Sequence, residues 1–137
     1  MLSNNEVRLI HDWCQKRPFR LCVLFGSQAT GKTHPGSDVD LAVWPDALAK
    51  PEQKLAWVTE LVALLDNEVS LAIVSPELDP VLGFEIVKNG RLIFQREEGL
   101  WFNERSRLWH AYNDSLPFRR AARQQLKQFA EEFQHGP

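Results

Sequence analysis

Asp38 and Asp40 flank a single valine in SDVDLAVW, and the stretch before them, FGSQATGKTHPG, is rich in groups that bind phosphate. Residues two apart in an extended chain point the same way. Both carboxylates therefore project from one strand face, while Val39, Leu41 and Val43 project from the other. Adjacent carboxylates repel each other and cost desolvation, and a shared cation relieves both penalties. Hard oxygen ligands of this kind favour Mg2+ or Mn2+. Upstream, Gly26 lets the backbone come close to a phosphate, and Ser27 offers a hydroxyl and an amide. Ser37 stands directly before the pair. Gly26, Ser27 and Ser37 are thus candidate nucleotide-binding residues, and Asp38 and Asp40 are candidate metal ligands and catalytic residues. The bland alternative is an acidic turn before a strand. Gly-Ser at the end of a buried strand, with apolar residues after the pair, tips the balance to the metal–phosphate reading.

A second signature overlaps the first. Gly26 to Thr33 reads GSQATGKT, a literal match to the P-loop pattern G-x-x-x-x-G-K-[ST]. A P-loop needs its Gly-Lys-Thr to open a long helix, because loop amides and helix N-terminus hold the phosphates together. Here His34-Pro35-Gly36 follows Thr33, and Pro35 turns the residue before it away from helical geometry. A strand begins a few residues later. The G-S-x10-D-x-D reading survives; the P-loop reading does not.

The elements that would hold these residues alternate along the chain. The spacing predicts a helix over 4–16, with Val7, Ile10 and Cys14 on one face and Asn4 or Asn5 as its cap. Phe19 to Phe25 reads as a buried strand leading into Gly26-Ser27, and Val39 to Trp44 as a second. Pro51 to Leu65 reads as a helix, with Leu55, Val58, Leu61, Val62 and Leu65 at core spacing. A third strand is expected over Glu68 to Val74, a short helix over Leu78 to Lys88, and a fourth strand over Arg91 to Gln95. From Glu97 the chain reads as helical, with a break at Pro117. The expectation is an α+β domain spanning 1–137: a small mixed sheet flanked by helices, with a helical C-terminal extension from about residue 98.

Composition excludes several classes. The chain has 137 residues, 44% apolar and 25% charged, as in an ordinary globular domain. A net charge of −2 offers no basic field to recruit nucleic acid. No run approaches the roughly 18 apolar residues of a membrane helix, and Glu6, Arg8 and Asp12 interrupt anything resembling a signal peptide. Cys14 and Cys22 lie in apolar contexts without CxxC spacing, as buried thiols of a cytoplasmic protein would.

FGSQATGKTHPGSDVDLAV resembles the active-site signature of the minimal nucleotidyltransferases of the DNA polymerase beta superfamily. The stretch containing Phe102, Arg105, Tyr112, Asp114 and Arg119 is similar to the tail of members paired with HEPN-domain ribonucleases. The resemblance implies a polymerase-beta-like fold, a triphosphate held at Gly-Ser, and Mg2+ held by Asp38 and Asp40. It also implies transfer of AMP from ATP to a tyrosine of a HEPN toxin partner. Lys32 and His34 could neutralise departing pyrophosphate or simply face solvent.

Two departures from the family pattern bear on activity. Gln28 and Thr30 occupy positions that often carry basic residues. The superfamily's third carboxylate falls on Ser70 when EVSLAIV is aligned by its strand pattern. A hydroxyl ligates metal weakly and cannot act as a base near neutral pH. Glu68, two residues back, either substitutes in part or is a solvated strand end. The resemblance therefore leaves two functions: an adenylyltransferase antitoxin, or a degenerate member that neutralises its partner by binding alone. A small-molecule nucleotidyltransferase is disfavoured, because nothing after residue 97 is large enough for a helical substrate domain. Leu126, Phe129 and Phe133 recur at helical spacing beside Arg119, Arg120, Arg123 and Lys127. That stripe either packs on the chain's own core or forms the partner surface. Trp101, Trp109 and Tyr112 read as core.

Overall fold

A computed structural model describes residues 2–31 and 38–134. The elements run α1 (Asn4–Gln15), β1 (Phe19–Phe25), α2 (Ser27–Thr30), β2 (Val39–Pro45), α3 (Pro51–Leu65), β3 (Val69–Ile73), α4 (Pro80–Lys88), β4 (Arg91–Gln95), α5 (Leu100–Asp114) and α6 (Leu116–Gln134). The four strands form one mixed sheet in the order β3-β2-β1-β4. β1 is antiparallel to both β2 and β4, while β2 and β3 run parallel. The parallel pair is joined through α3, the length of connection that such a pair requires. The expected α+β architecture is the one observed. None of the described helices is long and apolar enough to cross a membrane.

Alternation along β2 assigns its residues to two cores. Val39, Leu41 and Val43 are fully buried with α1 and α3 residues such as Ile10, Trp57 and Leu61. Ala42 and Trp44 belong to the opposite core, with Ile86 and Val87 of α4 and Trp101 and Leu108 of α5. Asp40, two residues before Ala42, therefore shares the face that α4 and α5 cover.

Several boundaries differ from the sequence expectation for local reasons. α1 is capped by Ser3 rather than Asn4 or Asn5: Ser3 Oγ accepts from the Glu6 amide at 3.2 Å, and Glu6 Oε1 accepts from the Ser3 amide at 3.1 Å. Ser3-Asn-Asn-Glu6 is a capping box. α4 starts at Pro80, because Asp79 accepts from the Val81 amide at 2.9 Å and fixes the cap one residue earlier. α3 buries Trp57, Leu61 and Leu65, whereas Leu55 is 68% exposed. The indole at 57 offers more apolar area than leucine at 55, so the helix turns that face inward. The helical break falls at Ser115, not at Pro117. Pro117 sits in the first turn of α6, where its missing N–H costs nothing.

The α5–α6 corner is fixed by side chains. Tyr112 stacks on Phe84 of α4 with centroids 4.1 Å apart, and the Arg119 guanidinium lies 3.8 Å above the same ring. Arg119 also donates to the Tyr112 carbonyl and to Ser115 Oγ, both at 2.9 Å. Beyond this corner α6 packs on nothing: every described side chain from Arg120 onward is exposed. The option that its apolar stripe docks on the chain's own core is therefore overturned. Trp101 is buried and Tyr112 half-buried, but Trp109 is half exposed, contrary to its reading as core.

Candidate active site

β1 delivers the chain to Gly26, whose backbone adopts φ +69 and ψ −155. A side chain would be strained at that φ, and space forbids one as well. A Cβ built on Gly26 would run into Asp40 Oδ2 and lie 3.1 Å from Asp40 Cγ. The glycine is what lets β1's exit and the Asp40 carboxylate occupy adjacent space. Ser27 then opens α2, a single helical turn with Ala29 N donating to Gly26 O at 3.2 Å. Thr30 Oγ1 donates to Ser27 O at 3.2 Å, and left-handed Gly31 ends the turn. Gln28 is buried beneath it.

β2 enters on the other side. The Val39 amide donates to the Glu68 carbonyl at 2.9 Å, locking the strand start to β3. In register, Asp40 pairs with Phe25 across the antiparallel ladder and with Ser70 across the parallel one. Gly26, Asp40 and Ser70 thus lie together on three adjacent strands or their ends. Asp38 is exposed and Asp40 half-buried. Burial and then the negative charge of Asp38 push the Asp40 carboxyl above the ordinary aspartate range. Neither aspartate forms an ion pair among the described residues. Ser37, Lys32 and His34 lie outside the described residues.

Residues 27–30, which a P-loop would lay out as an open phosphate cradle, are helical before Lys32 is reached. The alternative signature is the one the fold accommodates. A family model described as polymerase beta, nucleotidyltransferase, matches residues 9–99, from within α1 to the end of the β4 turn. The chain belongs to the polymerase beta nucleotidyltransferase family.

Solved members of similar fold are found among toxin–antitoxin complexes. A toxin–antitoxin structure with AMP-PNP contains a chain that is 21% identical, with a TM-score of 0.69, 95% of this chain covered and 99% of that one. A structure of tri-AMPylated Shewanella oneidensis HEPN toxin in complex with MNT antitoxin gives 17% identity, TM-score 0.76, and coverage of 92% and 99%. A mutant MntA-HpeT toxin–antitoxin gives 20% identity, TM-score 0.74, and coverage of 93% and 99%. No curated protein matches by sequence.

Within this nucleotidyltransferase fold, the register places Ser70 beside Asp40, as the strand alignment expects. Glu68 falls one residue before β3 and is exposed. Among the described residues no three of His, Cys, Asp and Glu cluster as a metal site. The donor set is two carboxylates and a neighbouring hydroxyl. That set suits Mg2+, which keeps several waters and takes phosphate oxygens from its substrate rather than demanding an all-protein cage.

A second feature, at the far end of β2, has no local sequence signal. A cleft of about 510 Å³ opens there, lined among others by Arg20, Trp44, Ser75, Glu104 and Arg107. Glu104 Oε1 accepts from Trp44 Nε1 at 2.6 Å, and Arg107 grips both carboxylate oxygens at 2.8 and 3.0 Å. Burial alone would raise this carboxyl. The bonds and charge of Arg107, the Trp44 bond and the Arg20 charge outweigh it and hold the carboxyl below the glutamate range. The acid of this cleft is already neutralised within the fold.

Proposed function

We propose that this protein is a Mg2+-dependent adenylyltransferase antitoxin, which transfers AMP from ATP to a tyrosine of a HEPN ribonuclease toxin. The observation that carries the reading is the juxtaposition of Gly26, Asp40 and Ser70 within a member of the polymerase beta nucleotidyltransferase family. The fold neighbours with AMP-PNP and with a tri-AMPylated HEPN toxin support the choice of nucleotide and acceptor.

In this reading Gly26, Ser27 and Ser37 bind the triphosphate, and Asp38 and Asp40 hold Mg2+. The bound ion supplies charge neutralisation at the phosphates and at the attacking oxygen. Asp40 is ready for it: a carboxylate pushed up by burial and by Asp38 gains more from a cation than a solvated one does. The tyrosine oxygen attacks the α-phosphorus, the bond to the bridging oxygen breaks, and pyrophosphate leaves. The phenol proton passes to solvent, since Ser70 is no base. A phenol with pKa near 10 tolerates this far better than an aliphatic hydroxyl would.

Ser70 also favours a second reading. With a hydroxyl where the family carries its third carboxylate, the chain could neutralise its partner by occupancy alone. General-base catalysis is worth on the order of 10²–10⁴-fold, so Ser70 slows transfer without removing charge stabilisation, usually the larger contribution. Intact mass of the cognate HEPN protein after incubation with Mg2+-ATP separates the two. An AMP adduct with wild type, formed faster with Ser70→Asp, supports the enzyme. An unmodified partner that is still inhibited at equal stoichiometry supports the binder.

A further inference from the structure

α6 carries Phe118, Leu126, Phe129 and Phe133 at 78, 69, 68 and 82% exposure. With Ala122 they follow spacings of four, four, three and four residues, which at about 100° per residue confines them to one arc of roughly 80°. A helix keeping its apolar stripe in water over about four turns implies something that covers it. The flanks of the stripe are unlike. Arg119, Arg123 and Lys127 form a row along one side, while Gln125, Gln128 and Glu132 form the other. The helix is also tied at its root by the Phe84–Tyr112–Arg119 stack.

The one-sided charge selects among occupants. A bilayer meets both flanks of a surface helix equally, and Glu131 and Glu132 oppose an anionic one. A second copy packed antiparallel sets each basic row against the same row of its mate, because like flanks meet in that arrangement. A protein surface that is apolar along its centre and acidic along one side satisfies both features. Residues 116–137 make up 22 of 137, so a match over 95% of this chain reaches into α6. The helical tail thus belongs to the fold shared with a chain from a toxin–antitoxin complex.

We propose that α6 is the docking surface for the HEPN toxin, an inference that rests on the antitoxin reading above. Phe129 and Leu126 anchor the contact, while Arg123 and Lys127 pair with acidic residues beside the toxin's apolar strip. Central apolar anchors dominate such interfaces and flanking charges tune association.

The test uses the full chain, the cognate HEPN protein, and titration calorimetry with stopped-flow association. Leu126→Asp/Phe129→Asp, on an exposed helix face, is expected to leave the melting temperature unchanged and weaken binding about 100-fold or more. Arg123→Glu/Lys127→Glu is expected to slow association about 10-fold at low salt, with Leu48→Asp in the α3 approach as an inert control. Toxin binding by the double-aspartate variant equal to wild type overturns the docking surface. If that variant also still adenylylates the toxin, the antitoxin reading stands without it. Wild type that neither binds nor modifies the HEPN protein overturns both. Binding of wild type, but not the variant, to phosphatidylserine vesicles with toxin affinity unaltered would assign α6 to a membrane instead.

Discussion

The two ends of β2 treat a carboxylate in opposite ways. At the C-terminal end, Glu104 reaches Trp44 and is met by an indole N–H and a bidentate arginine, so its charge is satisfied within the fold. At the N-terminal end, Asp40 is half-buried against Gly26 with Asp38 as its charged neighbour, and no described cation pairs with either. One carboxyl is held below its ordinary range and the other above it. The two ends of one seven-residue strand thus meet different acids: a satisfied structural acid supplied by α5 at one end, and at the other the strand's own Asp40, whose charge the fold penalises. Penalised charges of this kind concentrate where ligands bind, because the ligand supplies what the fold withholds.

The comparison breaks most visibly at Asp40. Asp40→Asn is expected to lower AMP transfer by about 10³-fold or more, the scale of losing a preorganised charge contact. Glu104→Gln should leave transfer near wild type. Intact-mass time courses of the HEPN partner measure both, and equal losses would erase the distinction between the two ends. Gly26→Ala comes next. Backbone at φ +69 and ψ −155 is essentially reserved for glycine and costs an alanine about 1–3 kcal/mol, and the methyl must displace the Asp40 carboxylate. A drop of about 2–3 kcal/mol in urea unfolding is expected, together with loss of transfer. Glu104→Gln should cost about 1–2 kcal/mol, since Arg107 and Trp44 keep a weaker acceptor.

The smallest effect is in pH. A folded pKa raised for Asp40 means that its ionisation costs stability, a cost present above that pKa and relieved as pH falls through it. The lowered Glu104 carboxyl contributes stability above about pH 4, and that contribution is lost on acidification. Melting curves of metal-free Asp40→Asn against wild type should therefore differ at pH 7, with the variant higher, and converge toward pH 4. Glu104→Gln should sit lower at pH 7 and converge from below. A wild-type advantage over Asp40→Asn at pH 7 without metal would contradict the assignment.

The corner was legible because it obeys short-range rules. Strand alternation puts Asp38 and Asp40 on one face, and parallel pairing through the α3 crossover puts Ser70 beside Asp40. Gly26 read as a close approach of backbone to a phosphate; the neighbour the fold itself brings against it, Asp40, needed the antiparallel register of β1 and β2. The Glu104–Trp44 bond joins residues 60 apart and no local pattern encodes it. The misread face of α3 had the same origin. Leu55 and Trp57 both allow an apolar stripe, and only packing against Phe19, 4.7 Å from the Trp57 ring centroid, decides between them. α6 was legible as amphipathic, but its exposure depended on the corner that Phe84, Tyr112 and Arg119 build.

If Asp38 and Asp40 together hold the metal, thermal unfolding with and without Mg2+ reveals it. A cation that binds only the folded state raises the melting temperature by linkage. Wild type should gain stability on adding Mg2+ with a non-hydrolysable ATP analogue, and Asp38→Asn/Asp40→Asn should gain none while melting at or above metal-free wild type at neutral pH. An equal Mg2+-dependent gain in the double variant would contradict the account.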